Sequence, residues 1–174
     1  MARIPFVTEE TALPETREMF AKIESRGFAV ANLYRMVGHT PEVGRAFLKL
    51  GNAIRFKQQL APPLRELAIL RVGQLTGANY EWVKHVAIGL KAGVRQAQID
   101  ALDGWRTSDA FDARERAVLA YADELSRQVR VSDAVFGELR RLFDEREIVE
   151  LTVTIGYYEM VCRLLEALQV ELEA

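Results

Sequence analysis

Apolar residues in this chain recur mostly at helical spacing. Val43, Phe47, Leu50 and Ile54 fall three or four positions apart, which sets them on one face of a helix. Pattern and punctuation together predict a series of helices joined by short breaks. Residues 1–13, "MARIPFVTEETAL", read as an extended arm. A first helix starts near Pro14, a residue tolerated in the first helical turn, and runs to about Ser25, with Gly27 ending it. A short helix covers 31–37, and "GHTPE" opens another from Pro41 to about Gln58. "APPLRELAILRVGQLTG" begins with prolines and stops at Gly77. Its interior is apolar on nearly every side, the mark of a buried helix. The next helix ends at Gly93, "VRQAQIDAL" is a short one, and "DGWRTSD" is a loop. Asp112 and Glu115 have capping-box spacing, so a helix starts there and reaches about Gln128. Ser132 caps a helix to Phe143, and Asp144 with Glu147 repeats the capping pattern before the last one.

That last segment carries two periodicities. Val149, Leu151, Val153 and Ile155 alternate with Glu150, Thr152 and Thr154, as in a half-buried strand. Ile148, Leu151, Ile155, Tyr158, Cys162 and Leu165 fit a helix equally well. The cap before the segment and the run "MVCRLLEALQVELE" after it favour one long helix, and no other strand exists to pair with it. The expected fold is therefore all-α, one domain over 1–174. The last helix is apolar around more of its circumference than one packed face needs, so self-association is expected.

Composition narrows the picture. At 174 residues, with 28% charged and 49% apolar residues, the chain suits one soluble domain with a sizeable core. Net charge is -2, with no basic block, so nucleic acid is not an expected partner. The longest uncharged run, Val72 to Tyr80, is too short to cross a bilayer. The N-terminus has neither an apolar h-region nor a small-residue cleavage site. One cysteine, Cys162, and two separated histidines speak against an intrachain disulfide and a protein-only zinc site. Together these features favour a cytoplasmic protein without a metal.

Candidate chemistry concentrates in "GANYEWVKH", residues 77–85. Ala78, Glu81, Trp82, Ile88 and Gly89 share a helix face with His85, and Glu81 lies four residues before it, within reach of the imidazole. Such a pair can fix the ring tautomer and raise its basicity. Tyr80 and Trp82 add aromatic walls and a phenolic donor. On the preceding helix, Glu66 faces Ile69, Leu70 and Gly73, where desolvation would raise its pKa. The plainer readings are a solvated Glu81 with a half-buried His85, and a Glu66 in the first helical turn that complements the macrodipole, paired with a nearby Arg. Arg71, in a buried helix, needs an acidic partner, either Glu66 or a later Glu, and a structural ion pair is its default role. Tyr157 and Tyr158 read as core or interface aromatics.

The stretch "LRELAILRVGQLTGANYEWVKHVAIGLKAGV", Leu64 to Val94, resembles the central helical hairpin of the carboxymuconolactone decarboxylase family, which includes alkylhydroperoxidase D. "ALPETREMF", "VGRAFLKLGNAI", "FDARERAVLAYADEL" and "YYEMVCRLLEALQVELE" extend the likeness over most of the chain. The resemblance implies an all-α fold assembled as a homotrimer or homohexamer. It sets Glu66 and His85 on the family's Glu and His. The peroxidase branch carries a CxxC pair, and here Ala78 and Glu81 occupy those two positions. Neither can attack peroxide or resolve a sulfenic acid, so CxxC-type peroxidase activity is not expected. The decarboxylase branch, which lacks the CxxC and uses no cofactor, implies a small anionic or lactone-like substrate. In that reading His85 is the proton donor or shuttle, Glu81 orients it, Glu66 is a second proton-transfer group and Tyr80 a donor to the oxyanion. Trp82, Asn79 and Arg71 would contact substrate, Arg71 through a carboxylate. The alternatives are a non-catalytic ligand-binding or structural oligomer of the same fold and, remotely, peroxide reduction dependent on Cys162.

Overall fold

The computed structural model describes residues 1–173, so position 174 of the expected domain lies outside the described residues. Among these, all regular structure is helical: α1 Pro14–Glu24, α2 Asn32–Val37, α3 Pro41–Lys57, α4 Pro62–Thr76, α5 Asn79–Ala92, α6 Gln96–Asp100, α7 Ala113–Gln128, α8 Asp133–Leu142 and α9 Glu145–Leu168. No helix among the described residues is long and apolar enough to cross a membrane.

The ends of the helices follow local chemistry. Pro14 opens α1, and Pro62 and Pro63 open α4, where a missing N–H costs nothing. Gly77 ends α4 at φ 69° and Gly93 ends α5 at φ 104°, a conformation that penalises any Cβ. Asp112 accepts from the Glu115 N–H at 2.9 Å while the Asp112 N–H donates to the Glu115 carboxylate at 2.8 Å. Asp144 and Glu147 make the same reciprocal pair before α9 at 2.8 and 3.2 Å. The Val135 N–H donates to Ser132 Oγ before α8. In α9 the two sequence periodicities separate. Leu151 and Ile155 are fully buried, whereas Val149 and Val153 are 61% and 41% exposed. A strand would have put all four on one face; the helical period splits them.

The residues group into two compact units. One comprises Met1–Ala53 with the described residues from Leu164 on, the other Ile54–Arg163. In the first, Val7, Ala12, Met19, Phe20, Ile23 and Val30 form the core. The arm expected to be extended over 1–13 is turned at residues 9–11 instead. The Ala12 N–H donates to the Thr8 carbonyl at 2.9 Å and the Thr8 N–H to Thr11 Oγ1 at 2.9 Å. The turn brings two apolar side chains, Val7 and Ala12, out of water, which a straight arm could not do.

The second unit is built around α4. Leu67, Ala68, Ile69, Leu70 and Val72 have no exposed surface, so burial surrounds the helix. Leu67 and Leu70 pack with Val94, Ile99, Leu102, Trp105, Phe111 and Leu119. The 103–112 loop is fastened by Arg116, which donates to the carbonyls of Trp105, Arg106, Ser108 and Phe111.

Candidate functional site

Two glycines let α4 and α5 approach closely. A Cβ on Gly73 would lie 3.6 Å from the Trp82 nitrogen and 3.8 Å from Glu81 Cβ. One on Gly89 would meet Leu70 Cδ1 at 3.3 Å and Glu66 Cβ at 3.7 Å. This spacing brings Glu66 of α4 onto His85 of α5. Glu66 Oε2 lies 2.7 Å from His85 Nδ1, and Glu81 Oε1 lies 2.9 Å from Nε2. Both ring nitrogens therefore meet a carboxylate. Arg65 Nε donates to the other Glu66 oxygen at 3.3 Å. Glu66 has no exposed surface, Glu81 3% and His85 6%. The Tyr158 ring stands edge-on to the imidazole, with centroids 4.9 Å apart.

The electrostatics follow from burial against charge. Burial alone would push His85 down, since it penalises the imidazolium. The charges and hydrogen bonds of Glu81 and Glu66 outweigh it and raise His85 from 6.5 to about 9. Burial likewise pushes the Glu66 carboxyl up, but the His85 bond and charge and the Arg65 charge hold it below its ordinary value. Burial, then the charges of Glu81 and Glu66, push the Tyr158 phenol well above its usual value. Near neutral pH the site is thus a doubly clamped imidazolium beside a neutral phenol. Such a group is an acid in its resting state, with a proton to give rather than a vacancy to fill.

The sequence-predicted residues divide between this cluster and other places. Glu66, Glu81 and His85 come together. Glu66 lies in the second turn of α4 rather than the first, with Arg65 as its cationic neighbour. Tyr80 is buried, with Lys84 Nζ 5.6 Å from its ring centre. Trp82 is half-buried against the core and, with Asn79, Gln74, Gly73, Gly77 and Ala78, lines a cleft of about 230 Å³. Arg71 is engaged by protein acceptors rather than by the Glu66–His85 pair. Its Nε donates to Asp123 Oδ1 at 2.5 Å, and its Nη1 to Gln74 Oε1 at 2.5 Å and to the Leu102 carbonyl at 3.2 Å. Its acid is Asp123 of α7, not Glu66 or a later Glu, because the guanidinium points toward the α6–α7 side of α4. Asp123 also accepts from Arg106 at 2.9 Å and Trp105 Nε1 at 3.4 Å. Tyr158 and Arg65 are the site residues that sequence reasoning missed. Tyr158 reaches the imidazole from α9, 73 positions after His85, a separation with no local signature. Arg65 was legible only as a basic neighbour of Glu66. Among the described residues no group of three or more His, Cys, Asp or Glu side chains is arranged to hold a metal ion.

A helical scaffold that clamps one histidine between acids from adjacent helices defines a class: an all-α protein with a buried acid–imidazole cluster. Residues 41–124 match the model of the Carboxymuconolactone decarboxylase family. The uncharacterized protein YdfG of Bacillus subtilis (strain 168) is 28% identical over 94 residues, 53% of this chain and 64% of that one. The match thus spans less than two thirds of that relative's length. An AhpD-like protein of unknown function from Agrobacterium tumefaciens superposes with a TM-score of 0.74 at 25% identity, over 79% of this chain and 95% of that one. A peroxidase-related protein with an alkylhydroperoxidase AhpD core from Ralstonia eutropha JMP134 gives 0.85 at 19% identity, over 99% and 92%. A cysteine-to-alanine variant of the debrominase Bmp8, in complex with 2,3,4-tribromopyrrole, gives 0.83 at 23% identity, over 100% and 95%. The last two share the fold with this chain.

Proposed function

We propose that the protein is a cofactor-free acid–base enzyme of the decarboxylase type, acting on a small anionic or lactone-like molecule. The observation that carries this reading is the double clamp on His85. Loss of carbon dioxide breaks a C–C bond and leaves its electron pair on carbon, delocalised into an adjacent carbonyl. That carbanion needs a proton, and an imidazolium supplies one. Of the two N–H groups, the one on Nε2 is the deliverable one. Its acceptor, Glu81, lies four residues away on the same helix and can swing aside by a rotamer change as substrate approaches. Glu66 is pinned from the other side by Arg65 and keeps the ring oriented. After transfer the neutral imidazole regains a proton from solvent, so one proton is consumed per turnover. Tyr80 is the proposed oxyanion donor, with Trp82 and Asn79 against the substrate.

The near-complete enclosure of the triad favours a second reading, a ligand-binding or structural oligomer in which the cluster only holds two helices together. Either form would self-associate as a trimer or hexamer through the exposed apolar stripe of Val149, Val153 and Met160 on α9. A screen of β-keto acids and lactone carboxylates for carbon dioxide release separates the readings. Turnover lost in His85→Gln and retained in Cys162→Ala is expected. Turnover unaffected by His85→Gln, or none with any substrate, would leave the structural reading. Thiol-dependent peroxide reduction should be absent from the wild-type protein, because Ala78 and Glu81 stand where a peroxidatic pair would.

A further inference from the structure

Arg65 is the member of the cluster whose bonding is incomplete. Its side chain is 8% exposed, and its partner among the described residues is the Glu66 carboxylate, reached through Nε. A guanidinium carries five N–H donors in a planar fork. One is used here. The four on the two Nη nitrogens have no acceptor among the described residues. Neither Nη is among the fully buried side-chain nitrogens that lack a partner, so the open edge of the fork can be reached from solvent. The same helix shows how this fold treats a guanidinium that serves structure alone. Arg71 is equally buried and has three acceptors.

We propose that the Nη edge of Arg65 is a carboxylate-binding subsite, holding a ligand carboxylate through paired N–H bonds beside the Glu66–His85 pair. Only the identification of that ligand as substrate rests on the decarboxylase reading; the subsite itself stands on the open fork. Isothermal titration of the full chain with benzoate and with its neutral analogue benzamide tests it. Benzoate is expected to bind saturably and benzamide not to bind. Arg65→Lys keeps the charge but loses the fork, and should weaken benzoate at least about tenfold, the equivalent of one charge-assisted hydrogen bond. Arg127→Gln, which removes an exposed arginine of α7, should bind as the wild type does. Equal binding of the two probes, no binding of benzoate to the wild type, or undiminished binding to Arg65→Lys would overturn the proposal. The comparison of probes on the wild-type protein decides even if the variant fails to fold. Because no turnover is read, a negative decarboxylation screen leaves this test standing, and absent benzoate binding leaves the His85 test standing.

Discussion

Raising the pH should destabilise this protein through one residue. The imidazole of His85 is raised to about 9 in the folded state, while in the unfolded chain it returns to its ordinary value near 6.5. Below pH 6.5 both states carry the proton and the full stabilisation is present. Between 6.5 and 9 the folded state holds one proton more than the unfolded state. Stability therefore falls by about 1.4 kcal/mol per pH unit, about 3 kcal/mol across the window, and then levels. Against a typical total of about 5–15 kcal/mol this is a large share. Urea unfolding at half-unit steps from pH 6.5 to 10 measures it, with His85→Gln in parallel. The variant retains Cys162, the tyrosines, lysines and His39, so the difference between the two curves isolates the clamped ring. The downward slope should belong to the wild type and be absent from the variant. NMR of the imidazole C–H resonances gives an independent check, with His85 titrating well above neutrality. Parallel stability curves, or a His85 resonance that titrates near 6.5, would refute the claim that both carboxylates hold the ring as a cation.

Two further outcomes follow from other parts of the molecule. Asp123→Ala leaves Arg71 and Arg106 without their carboxylate, and a buried arginine without its acid is expensive. Unfolding free energy should drop by about 3–5 kcal/mol in urea titrations, whereas Asp133→Ala, at the exposed start of α8, should change it far less. Light scattering coupled to size exclusion should find the wild-type protein multimeric. Val153→Arg, which puts a charge in the exposed stripe of α9, should shift it toward the monomer without loss of helical signal.

The legible part of this fold is the part fixed by near neighbours. Pro62 and Gly77 bracket α4, Asp112 and Asp144 open α7 and α9, and each effect acts within four residues. The choice between strand and helix for 149–155 was also readable, because a lone strand has nothing to pair with. Within the site, the Glu81–His85 pair is an i,i+4 contact and follows from spacing. The Glu66–His85 contact does not. It depends on how α4 lies on α5, which is set by Gly73 and Gly89 as close-approach points, and spacing alone favoured the plainer readings. The resemblance of Leu64–Val94 to a known hairpin supplied that link. Arg71 and Arg65 were least legible. Both are arginines in one buried helix, six residues apart, and only the three-dimensional positions of Asp123, Gln74 and the Leu102 carbonyl distinguish a saturated guanidinium from an open one.

The consequence for chemistry turns on position 81. Any group placed there is one helical turn from the imidazole and faces its Nε2. In the family that the sequence resembles, the peroxidase branch has a thiol at that position, a group able to exchange electrons with a second thiol three residues earlier. Glu81 cannot do so, and Ala78 offers no second sulfur. What the carboxylate adds is a negative charge 2.9 Å from the ring, on the side opposite Glu66. Burial penalises the charged ring, and each carboxylate opposes that penalty. With two, the cation prevails despite burial. Under the proposed decarboxylase reading, the histidine between Glu66 and Glu81 is held as a proton donor, the role that protonating a carbanion after loss of carbon dioxide requires.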